Sequence, residues 1–158
     1  MAPIGNPVTL GVVHVELDVK INTPVERVWK ALVEETSAWW PKEFYTSPAT
    51  KGFILEPRLG GRVYEHWGDQ AGLLWFTVIG INPPISLNLL GHVTPKFGGP
   101  SMSMLEFTLQ AFGDTVVLHV TETVSGRVAE GMEATLRDGW RSIFDGGLRA
   151  YVEGQNSP

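Results

Sequence analysis

The sequence predicts an α+β domain in which a curved antiparallel sheet wraps around one long C-terminal helix. Three observations carry that expectation. Val13 to Ile21 alternates without a break, apolar at odd positions and polar at even ones, as a strand with one solvated face does. Between residues 44 and 125 the chain reads as strands punctuated by Gly, Pro, Asn and Asp turns. After Gly126 apolar residues recur at spacings of three and four, the period of an amphipathic helix. A strongly twisted sheet can curl around such a helix, and the two together enclose volume.

Met1-Ala2-Pro3-Ile4-Gly5-Asn6-Pro7 lacks the basic region and apolar stretch of a signal peptide. Residues 1–11 are expected to form a flexible arm, and residues 12–154 one domain. After the first strand, Thr23 suits an N-cap, Pro24 the first helical position, and Glu26 completes a capping box. Val25, Val28, Trp29 and Leu32 form the buried stripe of that short helix. A second short helix is expected over about 35–40, stopped by Pro41.

Strands follow over 62–67, up to Ile81, 85–93, around 105–110 and 115–125. Gly68-Asp69-Gln70-Ala71-Gly72 and Asn82-Pro83-Pro84 supply two of the turns between them. Met132, Leu136, Trp140, Ile143, Phe144, Leu148 and Tyr151 then mark the long helix, about 129–152. Gly139, Gly146 and Gly147 each cost about 1 kcal/mol relative to alanine inside a helix. Either a close backbone approach or room for a ligand accounts for them, or the helix is locally kinked.

Length and composition narrow the function. With 158 residues, 43% of them hydrophobic and 18% charged, the chain suits one domain with a real core. A net charge of −5 and a pI of about 5.3 argue against nucleic acid and anionic membranes as partners. The absence of cysteine removes disulfides, thiolate nucleophiles and Cys-based metal sites. No apolar run reaches membrane-spanning length, and the cytoplasm is the expected compartment.

Two acids break the strand pattern. Glu65 shares a face with Val63 and Trp67, and Glu122 shares one with Leu118 and Val120, so both are expected to point inward. An ionised carboxylate in an apolar core demands a partner, water or a raised pKa. Both acids therefore either line a cavity, or pair with Arg62, Arg141 or Arg149, or one is turned outward by a β-bulge. Trp40, Trp67, Trp75 and Trp140 are candidate wall residues for such a cavity, with core filling as the alternative. Trp39-Trp40-Pro41 is the candidate lid.

His14, His92 and His119 fall on outward faces, and His66 points opposite to Glu65, so no metal is expected. Ser101 and Ser103 have no evident base nearby, and no nucleophile elbow or phosphate loop occurs. No cofactor is expected, and no residue is assigned a catalytic role.

Thr23-Pro24-Val25-Glu26-Arg27-Val28-Trp29 resembles the opening block of the START-like superfamily (SRPBCC, Bet v 1-like). Within that superfamily the chain looks most like homologues of the heat-shock-protein-90 ATPase activator. Trp39-Trp40-Pro41, Gly60-Gly61-Arg62-Val63-Tyr64-Glu65, Asn82-Pro83-Pro84 and Gly139-Trp140 agree in order, so the likeness spans about residues 12–152. It implies a helix-grip fold: seven antiparallel strands, two short helices after the first strand, and a C-terminal helix closing a deep cavity. Gly91 stands where relatives often carry Trp, and Glu122 where many carry His.

Three functions fit this resemblance. The first is binding of an apolar or aromatic small molecule, anchored by Glu65 and Glu122 and walled by Trp40, Trp67, Trp75 and Trp140. The second is an enzyme of cyclase, dehydratase or hydrolase type that uses a cavity carboxylate. The third is a co-chaperone-like interaction module, ranked last because the acidic charge offers no docking patch. A homodimer is left open.

Overall fold

Val15, Leu17, Val19 and Ile21 are buried along one face of β1 (Leu10–Ile21), while Glu16, Asp18 and Lys20 are exposed on the other. The computed structural model describes residues 8–154, and β1 takes in Leu10 and Gly11, which the sequence alone assigned to the arm. Of the rest of the expected arm, Val8 and Thr9 are exposed and precede the strand, and residues 1–7 lie outside the described residues.

Two short helices, α1 (Val25–Glu34) and α2 (Thr36–Trp39), follow β1. Pro24, not Thr23, occupies the N-cap of α1 and makes no side-chain cap hydrogen bond. The Thr23 hydroxyl donates instead to the Asn22 carbonyl at 2.8 Å. Trp39 is buried, and its Nε1–H donates to the Ala31 carbonyl at 2.7 Å, which ties α2 back onto α1.

Six further strands complete one antiparallel sheet: β2 (Gly52–Leu55), β3 (Arg62–Gly68), β4 (Ala71–Asn82), β5 (Ser86–Val93), β6 (Ser101–Phe112) and β7 (Thr115–Arg127). The order is β1-β7-β6-β5-β4-β3-β2, so the helices carry the chain from one sheet edge to the other. The β3–β4 turn places Asp69 and Gln70 at φ 49° and 66°, the left-handed pair that a two-residue hairpin requires. Register shifts interrupt the β3–β4 pairing twice, leaving Trp75 on β4 and Trp67 on β3 without a paired residue.

The C-terminal helix has three parts: α3 (Met132–Arg141), a π-helical segment (Ser142–Arg149) and α4 (Ala150–Gly154). Its second half is core: Ile143, Phe144, Leu148 and Val152 are buried, and the Phe144 ring meets Phe107 of β6 edge-on at 5.3 Å. Its first half contains no buried residue, although Met132, Leu136 and Trp140 continue the same apolar stripe.

The glycines of this helix do different things. A Cβ on Gly147 would lie 2.8 Å from the Trp39 carbonyl oxygen and 3.2 Å from the Pro41 ring, so this glycine permits a close approach. Gly146 is exposed with nothing nearby, and a Cβ on Gly139 would meet only Phe44, at 4.0 Å. Among the described residues, no helix is long and apolar enough to cross a membrane.

Candidate functional site

The unfilled half of the helix stripe faces a void. Between α3, the sheet and the segment that carries Trp40 and Phe44 lies a cavity of about 360 Å³. Met132, Leu136 and Trp140 of α3 face it from one side, and Trp75, Phe76 and Val124 from the sheet. Among the described residues, Glu122 of β7 is the single titratable side chain in its lining.

Glu122 is 4% exposed. The Ser103 hydroxyl donates to its Oε2 at 2.6 Å, and Trp140 Nε1–H donates to its Oε1 at 2.8 Å. Ser103 lies diagonally across the ladder, since β6 and β7 pair Leu105 with Glu122 and Ser103 with Val124. An ionised carboxylate offers about four lone-pair positions. Two are occupied here by these neutral donors.

Glu65 is 0% exposed, and its environment is the opposite. The Thr46 backbone N–H and the Thr50 hydroxyl donate to Oε1 at 2.9 and 2.8 Å. The Thr46 hydroxyl and Trp75 Nε1–H donate to Oε2 at 2.9 and 3.0 Å. Burial pushes this carboxyl up, but the hydrogen bonds from Trp75, Thr46 and Thr50 outweigh it and hold it below the ordinary glutamate value. Its acceptor capacity is filled, and it is not part of the cavity lining.

None of the three arginines considered as partners reaches either acid. Arg62 pairs with Glu56 at 2.8 Å, and Arg141 and Arg149 both pair with Asp145, at 3.6 and 3.4 Å. The register shifts fall at Trp67, Trp75 and Ile79, away from both acids, so neither acid is turned outward.

Each acid instead holds a tryptophan: Glu65 holds Trp75, and Glu122 holds Trp140. The bulge at Trp75 allows consecutive residues, Trp75 and Phe76, both to line the cavity, which strict alternation forbids. Gly91 of β5 accommodates that bulge, because a Cβ there would lie 2.1 Å from the Trp75 carbonyl oxygen and 2.8 Å from the Phe76 ring.

Of the tryptophans singled out in the sequence, Trp40, Trp75 and Trp140 line the cavity. Trp40 stacks on Phe53, with centroids 3.8 Å apart and planes 5° from parallel, and meets Trp140 edge-on at 6.4 Å. Trp67 does not line it: the register shift at this residue breaks the alternation that grouped it with Val63 and Glu65.

Sequence reasoning set Ser103 aside as having no base nearby, whereas its hydroxyl lies 2.6 Å from the Glu122 carboxylate; it missed Thr46, Thr50 and Phe97, whose ring lies 5.4 Å from Trp75. Ser103 carried a readable signal, since it is the polar member of the inward series Ser103, Leu105, Phe107 and Leu109. The loop threonines carried none. His14 and His92 are exposed on the outer face, and His119 bonds Asp18 there.

The comparisons with known proteins bear on the fold and the family. No curated protein matches the chain. Among solved structures, DynU16 of the dynemicin biosynthetic locus is 24% identical with a TM-score of 0.64; the match covers 89% of this chain and 47% of that one. This chain thus spans about half of DynU16. Ara h 8.0201 is 16% identical with a TM-score of 0.68, over 91% of this chain and 99% of that one. The Aha1 dimer from Colwellia psychrerythraea is 15% identical with a TM-score of 0.60, over 89% and 96%.

These likenesses are to the fold, a Bet v 1-like curved sheet gripping its C-terminal helix. A family model described as Activator of Hsp90 ATPase homolog 1-like protein matches residues 22–153. The chain belongs to the Activator of Hsp90 ATPase homolog 1-like family.

Proposed function

We propose that the protein binds an apolar or aromatic small molecule in the cavity beneath α3, with a hydrogen-bond donor of the ligand on Glu122. One observation carries this reading: a cavity of about 360 Å³ with largely apolar walls contains one buried carboxylate with unused acceptor positions. That volume falls in the range of small-molecule pockets, roughly 300–1,000 Å³. Trp40, Trp75 and Trp140 supply wall area, and Glu65 acts at one remove by fixing the Trp75 indole. Trp40, stacked on Phe53 and adjoining Pro41, is the lid element of this reading.

The neutral fluorophore N-phenyl-1-naphthylamine tests the cavity directly. It is expected to bind the wild type and to bind Gly139→Leu at least about tenfold more weakly, because that side chain fills the void without a Cβ clash. Equal binding by both proteins would remove the cavity as the site.

The enzymatic reading now rests on Glu122 alone, since Glu65 is sealed off with its acceptor positions filled. A paired acid and base at this site has no support in the lining. The family's description supplies a further reading, docking to Hsp90, for which saturable association with the chaperone is the test. Self-association is a separate question, raised by the dimeric Aha1 structure and answered by sedimentation equilibrium.

A further inference from the structure

We propose that the ligand of this cavity is a cation: an apolar or aromatic molecule whose protonated amine sits on Glu122. The inference rests on the cavity-binding reading and deepens it by assigning the ligand's charge.

Only neutral groups are hydrogen-bonded to the Glu122 carboxylate among the described residues. Its partners, Ser103 and Trp140, are both uncharged donors. No Lys, Arg or His among the described residues lines the cavity. The arginines of α3 turn to other acids: Arg137 to Glu133 at 2.7 Å, and Arg141 to Asp145 at 3.6 Å. Among the described residues, no ion pair includes Glu122.

A carboxylate taken out of water with two neutral donors is only partly compensated. Glu65 shows what full compensation by neutral donors looks like in this same protein, with four hydrogen bonds to its two oxygens. The two remaining positions on Glu122 are thus the place where charge balance is incomplete, and an ammonium group supplies both the donors and the opposite charge. An anionic ligand finds no positive group here.

The walls favour the same choice. Trp40, Trp75, Phe97 and Phe53 present aromatic surface to the void. Indole faces attract cations while also accepting an apolar body, which is the chemistry of aromatic cages for ammonium groups. A neutral alcohol or phenol gains the hydrogen bond to Glu122 but neither the charge pairing nor the ring attraction.

Three probes with one naphthyl body separate the possibilities: 2-naphthylmethylamine, 2-naphthylmethanol and 2-naphthoate, titrated calorimetrically at pH 7 into the full chain. The amine is expected to bind at least about tenfold more tightly than the alcohol, and naphthoate more weakly than both. Glu122→Gln, which can keep its carbonyl on Trp140 Nε1–H and donate to Ser103, is expected to weaken the amine far more than the alcohol and so bring the two within about threefold. An alcohol that binds wild type as tightly as the amine overturns the inference, as does an amine preference that survives Glu122→Gln. If N-phenyl-1-naphthylamine binds while the amine shows no preference, only the cation assignment falls. If neither it nor any of the three probes binds, the cavity reading falls with it.

Discussion

Glu65 and Glu122 have the same side chain and opposite roles, and counting donors separates them. Glu65 accepts four hydrogen bonds, one of them from Trp75 Nε1–H, a group that can only donate. In Glu65→Gln the new NH2 either faces that indole N–H or takes the oxygen site used by the Thr46 N–H and the Thr50 hydroxyl. One donor is left unpaired in each case. The expected loss is about 1–3 kcal/mol, read from the urea midpoint. Glu122→Gln keeps both its partners and is expected to stay within about 1 kcal/mol of wild type.

The pH response of Glu65 follows from its lowered folded-state pKa. Between the folded value and the unfolded value, about 4.3, the unfolded chain binds more protons. The stabilisation is therefore complete above that unfolded value and is lost as pH falls through the folded one. Urea midpoints measured from pH 7 downward should fall below about pH 4.3, and less steeply in Glu65→Gln. Side-chain direction was legible for both acids from strand alternation alone. Their difference was not, because Thr46 and Thr50 reach Glu65 from a loop with no periodicity to read.

Among the elements, the C-terminal helix was placed correctly by its period, but its division was not visible. The stripe from Met132 to Tyr151 is continuous in sequence, yet only its second half meets the core, where Val152 joins it. The two neighbouring glycines test the local packing. Gly147→Ala would push a Cβ against the Trp39 carbonyl and Pro41, whereas Gly146→Ala meets open solvent. Gly147→Ala is expected to lower the melting temperature, and Gly146→Ala to raise stability by about 0.5–1 kcal/mol. Thermal unfolding of the pair decides this, and equal shifts of one sign would contradict the close approach at Gly147. The bulge at Trp75 on β4 is the other feature that alternation concealed. Gly91 was noticed as a departure from relatives, but that it clears space for Trp75 and Phe76 depends on the pairing of β4 with its neighbours.

For the molecule as a whole, the strand and helix periods together implied a sheet curled around a helix, and the ordered motif blocks supplied the family. What they could not supply is the extent of the void, which depends on how the side chains of α3, the sheet and the segment carrying Trp40 and Phe44 fill the space between them. That void turns an ordinary amphipathic stripe into a wall, and the proposed reading makes Glu122 the ligand group, with Glu65 as a support for Trp75. Native mass spectrometry of the protein purified from its own host tests this account most directly. It predicts a wild-type species carrying a bound small molecule, absent from Gly139→Leu prepared in the same way. A bound molecule retained in Gly139→Leu, or a wild type that remains empty across preparations and takes up no apolar probe, would contradict it.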